Sequence, residues 1–193
     1  MTLPTNPART PSAPVGEPWK PVLIRAVVAL VFGVVTAFWS GPSVQVLAWA
    51  AGLYLLATAG AVWMLRALPV AAPAALAIGG VGALVTQSDA GVALSAVFAL
   101  VVLGACELFR GIRKQDFLAR DWLISGVVTV GTAVALPFFI TLGAHALLGV
   151  AGGGAIIGGV LWILSGLSLR HDTRAARSGS QAAAPGASPE AVN

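Results

Sequence analysis

AVVALVFGVVTAFWSGPSVQVLAWAAGLYLLATAGAVWML, residues 26–65, carries no charge and is bounded by Arg25 and Arg66. A helix crosses the hydrocarbon core of a bilayer in about 20 apolar residues. The stretch is twice that long, and Ser40-Gly41-Pro42-Ser43 at its middle has turn chemistry. It reads as two helices that cross a membrane and return.

The same pattern recurs on both sides of the quoted stretch. Residues 67–106 carry only Asp89, and residues 122–169 carry only the titratable His145. The predicted fold is an all-α membrane protein of six transmembrane helices, arranged as three tandem helical hairpins. The spans are about 21–39, 44–65, 68–86, 90–109, 122–142 and 144–169. Pro69, Pro73 and the Gly79-Gly80-Val81-Gly82 cluster make the third the weakest, and Pro137 lies near the far end of the fifth. The eleven basic residues are Arg9, Lys20, Arg25, Arg66, Arg110, Arg113, Lys114, Arg120, Arg170, Arg174 and Arg177. All fall before span one, after span two, after span four or after span six, apart from Arg25 at the start of span one. The three alternate turns have none. Positive residues mark the cytoplasmic side, so both termini are predicted there.

Composition supports the membrane class. Hydrophobic residues make up 58% of the 193 and charged residues only 9%, with mean hydropathy +0.90. A soluble domain carries about a quarter charged residues. The net charge of +4 and the pI near 10.2 suit anionic headgroups rather than nucleic acid, because the basic residues flank apolar runs and form no patch. A single cysteine, Cys106, excludes an internal disulfide and reads as a small buried hydrophobe. Residues 1–18, with prolines at 4, 7, 11, 14 and 18, and residues 172–193 are predicted as disordered tails around a membrane domain at 19–171. Phe38-Trp39 stands where a cleaved signal peptide would need small residues, which argues for a retained first span. Trp19, Trp63, Trp122 and Trp162 are predicted at the cytoplasmic interface and Trp39 at the outer one, whereas Trp49 reads as a packing residue.

The hairpins share landmarks. AGAVWML (59–65) and GGVLWIL (158–164) align Trp63 with Trp162 and Gly60 with Gly159, and Glu107 takes the tryptophan position of span four. This suggests repeats related by an axis along the membrane normal. Gly149, Gly153, Gly154 and Gly158 form two small-xxx-small motifs, which predict close packing of span six within the chain.

The stretch RAVVALVFGVVTAFWSGPSVQVLAWAAGLYLLATAGAVWML and the junction ELFRGIRKQDFLARDWLISGVVTVGTAVALPF resemble the HdeD-like family of small bacterial membrane proteins. The resemblance covers about residues 19–171. The family's Trp-Pro-Gly after odd-numbered spans is present only as Trp39-Ser-Gly-Pro42. The resemblance implies a multi-pass protein of the bacterial cytoplasmic membrane, associated with acid resistance in the family's named member. It brings no catalytic residues.

Ionisable groups inside a membrane are costly and are the candidates for function. Glu107 is predicted as an ion-pair partner of Arg110 three residues on, or of Arg25 or Arg66 from neighbouring hairpins; its functional alternative is a proton or cation site. Arg25 is expected to snorkel to the headgroups. His145 is expected at the outer end of span six, and Asp89 as the cap of span four. No zincin or phosphate-loop motif occurs, Ser95, Ser125 and Ser165 show no partner base, and no cofactor or metal is implied. The expectation is a non-enzymatic membrane protein of envelope homeostasis or stress tolerance. The alternatives are a small transporter or channel and an accessory subunit. The lipid bilayer is the expected partner, with a second copy or a larger membrane complex as protein partners.

Overall fold

A computed structural model describes residues 19–113 and 118–182, with side-chain environments through 175. The tail at 1–18, Lys114 and residues 183–193 lie outside the described residues. The described chain is all helix: α1 Trp19–Phe38, α2 Val44–Leu65, α3 Ala71–Thr86, α4 Asp89–Ile112, α5 Ala119–Ala135, a 3₁₀ segment Leu136–Leu142, and α6 Gly143–Ala182. Four stretches are long and apolar enough to cross a membrane: Trp19–Phe38, Val44–Leu65, Asp89–Ile112 and the continuous run Ala119–Ala175. Ala71–Thr86 is apolar but shorter. Its 16 residues rise about 24 Å at 1.5 Å per residue, short of the ~30 Å hydrocarbon core. The lost turn is the one expected around Pro69.

Local chemistry explains the breaks. Ser43 caps α2 through its hydroxyl, which accepts from the Val46 amide, and Gly41 in the same connection takes a positive φ of 72°. Ser88, and not the expected Asp89, caps α4; its hydroxyl accepts from the Gly91 amide at 3.1 Å. Ser88 holds the extended conformation a cap needs, whereas Asp89 is already helical. Pro137 cannot donate to the carbonyl of Ala133, so α5 tightens into 3₁₀ geometry there. Gly143, at φ 80°, then turns the chain into α6. That helix runs on to Ala182, past the boundary expected at 171.

The helices close into a ring. Contacts are most extensive between α1 and α6 and between α4 and α5, then between α2 and α3 and between α3 and α4; α1–α2 and α5–α6 touch less. Lipid tails are as apolar as these side chains, so close backbone approach and hydrogen bonds select the partners. Glycines supply the approach. Gly33 faces Gly152 and Ile156, Gly52 and Gly80 face each other's helix, Gly79 faces Ser95 and Ala99, and Gly104, Gly111 and Gly126 line the α4–α5 contact. Among the four glycines predicted to pack, only Gly154 does so, against Thr132. Nothing lies within 4 Å of a Cβ built on Gly149, Gly153 or Gly158. The packing face of α6 is set by Gly152, Gly159 and Gly166 instead, one side of the helix away.

Candidate functional site

Among the described residues, a buried ion pair enters the apolar ring where α1, α4, α5 and α6 meet. Arg25 lies less than two turns into α1 and is 5% exposed, and Glu107 on α4 is 0% exposed. Their side chains form a buried ion pair, Arg25 Nη2 donating to Glu107 Oε1. The second carboxylate oxygen accepts from Ser125 Oγ at 2.9 Å and from Thr129 Oγ1 at 3.2 Å. Ser125 and Thr129 are one turn apart on α5 and so share a face. Ser125 in turn accepts from Trp162 Nε1 at 3.0 Å. A hydroxyl has one proton to give and lone pairs to receive, so both contacts of Ser125 are satisfied together.

Two indoles complete the enclosure. The Arg25 guanidinium carbon lies 4.6 Å from the Trp162 ring centroid and 6.0 Å from that of Trp122. The rings meet edge to face at 4.7 Å and 68°. A desolvated cation over an indole gains about 2 kcal/mol, which helps offset the removal of Arg25 from water. Toward the α4 C-terminus, Arg110 lies 5.7 Å from the Trp122 centroid and donates to the carbonyl of Ala67 in the α2–α3 connection. Asp121 at the start of α5 accepts from Ser165 Oγ at 2.7 Å. The Ser125–Trp162 and Asp121–Ser165 pairs together set α5 and α6 antiparallel.

These contacts revise several expectations. Arg25 turns inward to Glu107 instead of snorkelling. Glu107 takes Arg25 as its partner and not Arg110, whose guanidinium serves the Ala67 carbonyl. Arg66 is exposed, caps α2 in a left-handed conformation at φ 47°, and stays outside the cluster. His145 is exposed in the first turn of α6. Trp122 and Trp162 are core residues at 2% and 1% exposure, whereas Trp49, expected to pack, faces outward. The aligned Trp63 is 54% exposed, so the repeat's equivalent positions occupy different environments. Ser125, Thr129 and Trp162 were not singled out together by the sequence. Their signal was present: Trp122, Ser125, Thr129 and Thr132 recur at i, i+3, i+7 and i+10, a polar stripe on one face of an apolar helix.

Beside the ion pair lies a cavity of about 50 Å³. Arg25, Phe32, Tyr54, Thr58, Ser125, Thr129, Thr132 and Trp162 contribute its polar and aromatic lining. Tyr54 is stacked on Phe32 with centroids 4.2 Å apart. From Arg25 to Phe32 the lining follows α1 for seven residues, roughly 10 Å of rise. Arg25 Nη1 is buried and has no hydrogen-bond partner among the described residues. Among the described residues no group of three His, Cys, Asp or Glu side chains could hold a metal ion. No protein-family model matches the chain, and no curated protein or solved structure matches it either.

Proposed function

We propose that the chain is a six-span protein of a bacterial cytoplasmic membrane, built as three tandem hairpins with both termini inside. On this reading it resembles the HdeD-like proteins and serves, without catalysis, in envelope homeostasis or stress tolerance, acid stress included. The observation that carries the non-catalytic reading is the Arg25–Glu107 pair. Both oxygens of the carboxylate are engaged by helix-bridging partners, so the polar centre holds α1, α4 and α5 together.

Six crossings are supported by length. Ala119–Ala175 has 57 residues and would extend about 85 Å as one helix, nearly three hydrocarbon thicknesses. Gly143 divides it, and the Ser125–Trp162 bond brings its halves side by side. A topology reporter fused after Arg177 should read cytoplasmic, and one placed in the Gly41 turn should read external. An external reading after Arg177 would remove the six-span arrangement.

A second reading, a small transporter or channel for protons or a small solute, is favoured by the cavity beside Glu107. In proteoliposomes it requires a flux that Glu107→Gln abolishes. Absence of flux across protons, alkali cations and halides would eliminate it.

A further inference from the structure

The cavity and the unpartnered Arg25 Nη1 are not explained by a purely structural ion pair. Arg25 is 5% exposed and uses one terminal nitrogen on Glu107, while the other faces no acceptor among the described residues. The space beside it is about 50 Å³. A buried water needs ~10–15 Å³ on this measure, so three or four would fit, whereas benzene takes a cavity of ~150 Å³. The occupant is therefore inorganic in size. The cavity lining carries the Arg25 guanidinium and the hydroxyls of Tyr54, Thr58, Ser125, Thr129 and Thr132, and no carboxylate. The Ser125 and Thr129 protons go to Glu107 while it is ionised and can turn to the cavity only when it is neutral. Such a lining suits a small anion better than a cation.

Charge decides when an anion enters. With Glu107 ionised, the pair is neutral and a third charge in a water-poor centre would stand uncompensated. With Glu107 protonated, Arg25 needs another counter-ion, and Arg25 is among the residues that line the cavity. We infer that the cavity is a site for a monatomic halide, taken up together with one proton that resides on the Glu107 carboxyl. The proton and the halide both come from solvent, no bond other than O–H forms, and the net charge of the centre stays at zero. The titratable and charged groups around Glu107 are Arg25 from α1, Tyr54 from α2, Asp121 from α5, and Cys106 and Arg110 on α4 itself. Asp121 is engaged by Ser165 and Arg110 by the Ala67 carbonyl. The packed face of α6 brings Trp162 and no charge.

The inference rests on the polar centre and on neither the six-span topology nor transport, so a negative result leaves those readings to their own tests. The full-length protein, purified in detergent and chloride-free buffer, is titrated with sodium bromide by calorimetry at several pH values. Saturable binding should strengthen by up to tenfold for each pH unit lowered, with one proton absorbed per bromide. In Glu107→Gln, which fixes the neutral form, binding should lose its pH dependence, and bromide should raise the melting temperature at pH 8. Thr58→Val, remote from the ion pair's own hydrogen bonds, should weaken binding several-fold while leaving the fold intact. Should Glu107→Gln fail to fold, the wild-type proton count still decides. Saturable bromide binding without proton uptake, or no binding at low pH, which would leave water as the sole occupant, overturns the inference.

Discussion

Arg25→Met is expected to destabilise the protein by about 3–5 kcal/mol, the cost of leaving a buried charge without its partner. Glu107 would remain at 0% exposure with only Ser125 and Thr129 to compensate it. Two hydroxyl hydrogen bonds to a charged group contribute about 1.5–3 kcal/mol each, which limits the damage but does not replace a cation. Glu107→Leu should cost a similar amount by stranding the guanidinium between two indoles. The informative variant is the double one. Arg25→Met with Glu107→Leu removes both charges, and apolar replacements of buried pairs are often neutral or better. Its stability should therefore recover most of the loss. Unfolding in detergent, followed by helical circular dichroism, gives the four corners of the cycle. If the two single losses simply add in the double variant, the ion pair does not couple α1 to α4, and the account of the polar centre fails.

The helices were legible because their signal is long-range and cooperative. Uncharged runs bounded by arginines state where apolar helices begin and end, and α2 begins and ends where its expected span does. Two boundaries moved where a proline intervened, Pro69 delaying α3 and Pro137 converting the end of α5 to 3₁₀ geometry, while α4 and α6 run past their expected ends. The polar centre was half legible. Glu107 stood out as an intramembrane carboxylate, and Arg25 was among its possible partners. The choice of Arg25 over Arg110 and Arg66 depends on a contact between residues 82 apart, which no helical periodicity reports. The same holds for Trp162. An amphipathic indole near a helix end suits an interface, and only the packing of α6 on α1 and α5 shows that it is enclosed. The glycines failed for a related reason. A small-xxx-small spacing marks a smooth stripe on a helix, but α6 carries glycines on more than one side, and spacing cannot tell which side meets a neighbour.

That distinction predicts effects of opposite sign on similar substitutions. A Cβ at Gly33 would lie 2.9 Å from the Gly152 carbonyl oxygen and 3.2 Å from the Ile156 amide nitrogen, with the Ile156 side chain closer still. The first of these is backbone and cannot rotate away. Gly33→Val must therefore push α1 off α6, and overpacking of this kind costs about 1–3 kcal/mol or more. The displacement should reach the polar centre, because Arg25 on α1 stacks on Trp162 of α6 about two turns below. Gly149→Ala and Gly153→Ala meet nothing within 4 Å and should each gain up to about 1 kcal/mol from helix propensity. Melting in detergent separates the cases, and tryptophan fluorescence reports whether Trp162 becomes wetter in Gly33→Val alone. Comparable destabilisation by Gly149→Ala would mean that this outward stripe is packed after all. The contact would then have to come from a second copy of the chain, which cross-linking through Gly149→Cys would reveal as a dimer. An unchanged monomer with a higher melting temperature is the expected result, since the face that needs its glycines is the one already turned to α1.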